Sequence, residues 1–180
     1  MAPRLHTLFI GYGNSLRRDD GAGLILAKNL AEHWRRQGRY VRCLIVHQLT
    51  PDLAFDITAE DVGNVVFVDA VMTTRDTTES DLTIHIDRLA ESGRASGVGH
   101  HMDAGELMVY GQLLYRRRPP AWIVTVPGLD FAHGEGLSRP VRRLVEDVAH
   151  VARQLERCLG LKPAAPGDPR PSPGPDPDRR

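Results

Sequence analysis

Paired carboxylates stand in the segment 9–23, where an apolar run passes into a helical pattern through several glycines. Glycines at such a junction allow a sharp turn and let another group approach the backbone closely. Asp19 and Asp20 follow where the helix is predicted to begin, and the partly positive helix end keeps them ionised and directed outward from the sheet edge. Acidic residues in this position favour a metal or a polar substrate.

Two other interpretations of this segment have to be weighed. A strand followed by Gly-x-Gly is typical of dinucleotide-binding turns, but Leu16 stands where that fingerprint requires a third glycine. Two carboxylates would also repel a pyrophosphate. Nucleotide binding is therefore disfavoured, and a nucleotide-binding oxidoreductase is the weakest of the alternative functions. For either aspartate alone, helix capping is the structural alternative.

Asp69 adds a third carboxylate, and His100 and His101 add two imidazoles. Asp69 ends an apolar run, where a carboxylate is costly unless it lies at the strand exit and has a partner; capping of the next turn is the alternative. The histidines precede a predicted helix, whose positive end favours a neutral imidazole able to bind a metal; a surface pair is the alternative. Together with Asp20 they form a plausible oxygen and nitrogen site for nickel, zinc or manganese.

These residues have to be positioned by the surrounding elements. Five apolar runs predict strands at 5–10, 40–46, 64–71, 81–86 and 121–126. Helical patterns occupy 24–34, 107–114 and 141–159, and a shorter helix is predicted after Pro51. Asp103 and Glu106 have capping-box spacing, and Ser138 can cap the last helix. The alternation predicts an α/β fold, a three-layer αβα arrangement with a mostly parallel, about five-stranded twisted sheet.

Composition limits the classes of partner. Lys and Arg together number 23, as do Asp and Glu, so no net charge attracts the protein to nucleic acid or to an anionic membrane. Cys43 and Cys158 are far apart and are predicted to be buried small apolar residues rather than a disulfide or a catalytic thiol. No apolar run is long enough for a signal peptide or a membrane span, which predicts a cytoplasmic protein.

The predicted domain covers residues 1–161, and the composition changes in the tail 162–180. The stretch 163–177 holds seven of the 13 prolines, mixed with Gly, Ser, Asp and Arg. Such a segment cannot form a packed core, and we expect it to be disordered or partly polyproline II. A linker or an artificial extension is favoured over a binding motif.

Five motifs then carry a resemblance to a known family. In chain order they are Gly-Tyr-Gly-Asn-Ser-Leu-Arg-Arg-Asp-Asp-Gly-Ala-Gly at 11–23, Gln-Leu-Thr-Pro-Asp-Leu-Ala at 48–54, Val-Asp-Ala at 68–70, His-His-Met at 100–102 and Gly-Glu-Gly-Leu-Ser at 134–138. In this order they resemble the motifs of the hydrogenase maturation proteases, the endopeptidases of nickel-iron hydrogenase assembly. The resemblance extends over about 5–159. It implies a cytoplasmic enzyme that removes a C-terminal extension from the hydrogenase large-subunit precursor after nickel insertion.

The resemblance also implies the site residues and the metal. The family's metal-contacting positions correspond to Asp20, Asp69 and one histidine of the doublet, which are also the implied catalytic residues. Counting back from the following helix favours His100, with His101 as the alternative. The metal implied is nickel carried by the substrate, and the isolated protein could hold another divalent ion such as zinc, cadmium or manganese.

Motif analysis disfavours a zinc peptidase, a serine hydrolase and a cysteine protease, and it leaves two mechanisms open. The sequence contains no His-Glu-x-x-His helix, no Gly-x-Ser-x-Gly elbow and no suitably placed cysteine. Substrate-borne nickel bound by the three residues could position the tail and polarise a carbonyl or a water. Alternatively, Asp20 or Asp69 could activate water as a general base. A non-catalytic nickel-binding assembly factor with the same site is the other functional alternative.

Overall fold

The computed structural model describes residues 5–73, 78–90 and 102–162. Within these residues, five strands form one sheet in the order β2-β1-β3-β5-β4. The strands are β1 His6–Tyr12, β2 Val41–Val46, β3 Val62–Met72, β4 His85–Arg88 and β5 Ala121–Gly128. All neighbouring pairs are parallel except β4 and β5, which are antiparallel. The predicted α/β fold with a mostly parallel, five-stranded sheet is therefore confirmed.

Helices cover both faces of the sheet. In the described part of the chain the α-helices are α1 Ala22–Arg36, α2 Leu53–Ile57, α3 Ala104–Tyr115, α4 Arg139–Glu146 and α5 Val148–Cys158. Helices α1, α4 and α5 pack on one face, and α2 and α3 pack on the other. None of the described helices is long and apolar enough to cross a bilayer.

Two apolar clusters, one on each face, fix which way each strand residue points. In β1, Leu8 and Ile10 belong to the cluster under α2 and α3, whereas Phe9 belongs to the cluster under α1. In β3, Phe67 faces α2 and α3, whereas Val68 faces α1. This alternation is the period of two expected of a strand that is buried on both faces. It also determines which face receives the polar residues at the strand ends.

The predicted strand at 81–86 is wrong in its first half. Residues Glu79–Asp81 form a short 3-10 helix, and β4 begins only at His85. A capping box explains the difference, because Asp81 Oδ2 accepts hydrogen bonds from Thr78 N at 3.0 Å and from Thr78 Oγ1 at 2.5 Å. These local side-chain bonds compete with strand pairing.

The single helix predicted at 141–159 is divided in two at Asp147. The Asp147 side chain accepts a hydrogen bond from His150 N at 3.3 Å and so begins α5. The apolar face nevertheless continues across the break, and its buried members are Val141, Val145, Val151, Ala152 and Leu155. The periodicity therefore predicted the buried face correctly but not the interruption.

The two cysteines differ in their surroundings. Both are free thiols, Cys43 half-buried in β2 and Cys158 exposed in the last turn of α5. Burial of both was predicted, and this is wrong for Cys158, which lies beside the exposed Arg157. The predicted tail lies outside the described residues except for Lys162, whose carbonyl accepts a hydrogen bond from Arg39 Nη2 at 2.7 Å.

Candidate active site

Asp69 and Tyr12 lie next to each other on the face of the sheet that α2 and α3 cover. Gly11 of β1 is in register with Val68 of β3, so the residues that follow them, Tyr12 and Asp69, are neighbours. Tyr12 is the last residue of β1, whereas Asp69 lies three residues before the end of β3 and not at the strand exit that the sequence predicted. The Tyr12 hydroxyl donates a hydrogen bond to the Asp69 carboxylate. A second donor is Ala70 N, which lies 2.8 Å from Asp69 Oδ1.

The carboxyl group of Asp69 has a perturbed pKa. Burial raises this pKa to about 6, because the charged form loses hydration. The hydrogen bonds from Ala70 and Tyr12 lower the pKa, and the negative charge of Asp20 raises it. Burial and the neighbouring Asp69 carboxylate also raise the pKa of the Tyr12 hydroxyl. At neutral pH Asp69 is therefore an ionised but poorly solvated carboxylate, which a bound cation would stabilise.

Asp20 reaches the same edge of the sheet from the loop between β1 and α1, within the 3-10 turn Arg18–Gly21. Gly13 has a φ of 139°, and a Cβ there would lie 2.2 Å from the Asp20 carbonyl oxygen, so this position requires glycine. Asn14 N donates to Asp20 Oδ2 at 3.2 Å. The turn thus holds the Asp20 backbone closely against the end of β1.

Helix α1 begins in direct contact with the backbone that carries Asp69. A Cβ on Gly23 would lie 2.6 Å from the Val68 carbonyl oxygen and 3.0 Å from Asp69 Cα. Only glycine permits this approach, and Asp20 lies one turn earlier in the chain. The structure therefore brings Asp20 and Asp69 to one edge, as predicted, and the charge of the first contributes to the raised pKa of the second.

The amino end of α3 lies on the same side of the sheet. Asp103 caps this helix by accepting from Glu106 N at 2.7 Å, and Glu106 Oε2 accepts from Asp103 N at 3.0 Å, which confirms the predicted capping box. Met102 packs against the apolar cluster that Tyr12 also joins. The negative charge of Asp103 contributes to the raised pKa of Tyr12, which indicates that the helix end is near the Tyr12 hydroxyl.

The third predicted ligand is one histidine of the pair at 100–101. His100 and His101 both lie outside the described residues, immediately before Met102 in the sequence. Among the residues that the structure does describe, no three His, Cys, Asp or Glu side chains form a group that could hold a metal. Of the predicted site the structure describes Asp20 and Asp69 alone, and their role as metal ligands and the choice between the two histidines stay predictions.

Asp19 does not share the role of its neighbour. It was expected to be directed outward, but its side chain is fully buried and accepts four hydrogen bonds. The donors are Leu129 N at 2.9 Å, Asp130 N at 2.9 Å, Ser138 N at 2.7 Å and Ser138 Oγ at 2.8 Å. Ser138 precedes α4 as predicted, but its side chain makes no capping bond to that helix, because its hydroxyl bonds Asp19.

Sequence reasoning missed the roles of both Tyr12 and Asp19. For Tyr12 a signal exists, since it continues the alternation of Leu8 and Ile10 on the face where Asp69 also lies. For Asp19 no local signal exists, because its partners are more than 100 residues away in the sequence.

No protein-family model matches this sequence, and no curated protein is significantly similar to it. Solved structures do share its fold. The hydrogenase maturating endopeptidase HybD from E. coli superposes with a TM-score of 0.64 at 18% identity, over 87% of this chain and 94% of that one. For the NiFe hydrogenase maturation protease HycI from Thermococcus kodakarensis KOD1 the TM-score is 0.59 at 20% identity, over 85% and 94%. The endopeptidase HycI from Escherichia coli superposes with a TM-score of 0.59 at 20% identity, over 87% of this chain and 93% of that one. Over most of its length, the chain therefore has the fold of the hydrogenase maturation proteases.

Proposed function

We propose that the protein is an endopeptidase that removes the C-terminal extension of a nickel-iron hydrogenase large-subunit precursor after nickel has been inserted. In this proposal Asp20, Asp69 and His100 recognise the nickel carried by the substrate, with His101 as the alternative to His100. The observation that carries the proposal is the pair of carboxylates at the carboxyl edge of a sheet whose fold is that of hydrogenase maturation proteases.

The surroundings of Asp69 support its role as a nickel ligand. Asp69 is half-buried, and no Lys or Arg of the described segments forms an ion pair with its carboxylate. A divalent cation would supply the missing positive charge, and nickel accepts mixed oxygen and nitrogen ligands. The hydrogen bonds from Tyr12 and Ala70 hold the carboxylate in a fixed orientation before the substrate arrives.

Two roles are open to the carboxylates during peptide cleavage. Nickel bound by them would position the precursor tail and polarise the scissile carbonyl or an attacking water. Alternatively, Asp69 would accept the proton of the water, a role for which a pKa of about 6 is suitable at neutral pH. Either role requires that Asp69 be ionised when the precursor binds.

The test is the mass of a precursor before and after incubation with the protein. We expect nickel-loaded precursor to be shortened and nickel-free precursor to keep its mass. Asp69→Asn should abolish the shortening, whereas Asp87→Asn, which changes an exposed aspartate on β4, should retain it. Equal cleavage of both precursor forms would contradict nickel recognition. Nickel-dependent binding without any change of mass would instead support the assembly-factor alternative.

A further inference from the structure

The side chain of Asp19 is a buried charge stabilised entirely by donors from one distant segment. In the described part of the chain no cation forms an ion pair with it. Three backbone N–H groups and the Ser138 hydroxyl, all between Leu129 and Ser138, surround its two oxygens at 2.7 to 2.9 Å. Several donors to one carboxylate make a strong, oriented contact. Asp19 therefore attaches the loop after β1 to the segment after β5.

Backbone contacts on either side of Asp19 reinforce this attachment. Arg18 N donates to the Gly134 carbonyl at 3.0 Å, and Gly134 N donates to the Leu16 carbonyl at 2.9 Å. Arg18 adds an ion pair to Asp130, at 2.5 Å. Arg18 has a φ of 44°, a left-handed conformation that is strained for a non-glycine residue and persists only where the surroundings hold it.

The attachment restrains the turn that carries Asp20, in addition to the close contacts of Gly13 and Gly23 described above. Asp20 belongs to a loop, and the described residues give its carboxylate a single hydrogen bond, from Asn14 N. Asp19, the adjacent residue, bonds the backbone directly after β5, and β5 pairs with β3 so that Thr125 is in register with Asp69. The hydrogen bonds of Asp19 to the segment after β5, together with the pairing of β5 with β3, therefore link the backbone beside Asp20 to the strand that carries Asp69.

We propose that Asp19 and Ser138 are positioning residues that hold Asp20 at a fixed place beside Asp69. The consequence for peptide cleavage rests on the proposed function, whereas the attachment of the loop does not. Loss of the Ser138 hydroxyl loosens the loop that carries Asp20 and leaves the core in place. The separation of the two carboxylates then varies, and the nickel ion of the precursor loses one of its ligands.

The test compares Ser138→Ala with two other variants. Ser138→Thr keeps a hydroxyl at the same place, and Thr58→Val removes a buried hydroxyl that donates to the Ala54 carbonyl at 2.6 Å in a different part of the fold. For each variant we would measure kcat/KM on nickel-loaded precursor. We would also measure amide hydrogen exchange at Asp20, with core amides such as Leu26 as the internal reference.

We expect Ser138→Ala to accelerate exchange at Asp20 about tenfold or more without changing the core, since hydrogen bonds to charged groups are strong. Processing should fall by a similar factor, recover in Ser138→Thr and stay normal in Thr58→Val. Unchanged exchange at Asp20 in Ser138→Ala, or equal loss of processing in Thr58→Val, would overturn the proposal. If the unaltered protein cleaves no precursor but Ser138→Ala still accelerates exchange at Asp20, the proposed function fails and the attachment is supported.

Discussion

The Tyr12 hydroxyl, on the last residue of β1, donates a hydrogen bond to the Asp69 carboxylate on the neighbouring strand β3. The bond opposes the effect of burial on the pKa of Asp69, which nevertheless remains at about 6. Asp69 is thus kept ionised at neutral pH although its charge is poorly hydrated. Burial is thus opposed by two donors, Ala70 N and the Tyr12 hydroxyl, and the contribution of the hydroxyl is open to direct tests.

Removal of the Tyr12 hydroxyl should raise the pKa of Asp69 further. In Tyr12→Phe the Asp69 carboxylate loses a hydrogen-bond donor, so its ionised form is less stable relative to its protonated form. The acid limb of the pH profile for processing should therefore move to higher pH, with a severalfold loss at pH 6 and little loss at pH 8. Tyr110→Phe, at an exposed tyrosine of α3, is the control that should leave the profile unchanged. An identical profile for Tyr12→Phe would contradict the assigned contact.

Asp69 should destabilise the metal-free protein above pH 6. Its folded-state pKa, about 6, is higher than the ordinary value of 3.8, so the folded state binds the proton more tightly than the unfolded state. Stability therefore falls as the pH rises from about 4 through 6. Asp69→Asn should be more stable than the unaltered protein at pH 8, by about 2 kcal/mol, and nearly equal to it at pH 4. Urea unfolding with a chelator present measures the free energy of unfolding of both proteins at each pH. A difference between the two proteins that is the same at pH 4 and pH 8 would contradict the raised pKa of Asp69.

Asp20→Asn should remove a ligand without unfolding the protein. The amide oxygen can still accept the bond from Asn14 N, while the negative charge is lost. Processing of nickel-loaded precursor should fall at least about tenfold, since even residues beyond the direct ligands have effects of that size at metal sites. The melting temperature should stay within a few degrees. Processing at the unaltered rate would remove Asp20 from the site.

The two histidines should differ in their effects. We expect His100→Ala to abolish most processing and His101→Ala to reduce it less, because only one imidazole is predicted to reach the nickel. The processing rates of the two variants would be measured on the same nickel-loaded precursor and compared. The opposite ranking would assign the ligand to His101 and leave the proposed function intact, whereas normal rates in both variants would contradict the histidine ligand.

Removal of the residues after Lys162 should have little effect. The proline-rich composition of that segment provides no apolar periodicity for a core. A chain that ends at Lys162 keeps the carbonyl contact with Arg39, which also pairs with Glu156 at 3.0 Å. Melting temperature and processing should be nearly unchanged, and a drop of many degrees would show that the tail contributes to the fold.

The amino-acid sequence by itself determined the layers of the fold and the edge where the carboxylates lie. Apolar runs such as the one that ends at Asp69 indicate strands buried on both faces, and helical periodicity supplies the layers between them. The capping box of Asp103 and Glu106 was equally predictable, since its two partners are three residues apart. These features depend on neighbours in the chain, which a sequence displays directly.

Only the tertiary structure decided which aspartate of the pair is available to a ligand. Asp19 and Asp20 are adjacent and chemically identical, yet the first is fully buried among donors from Leu129, Asp130 and Ser138. The partnership of Tyr12 with Asp69 likewise depends on strand register. The physical reason is the same in both cases: hydration and hydrogen bonding of a carboxylate are set by groups that are close in space and distant in sequence.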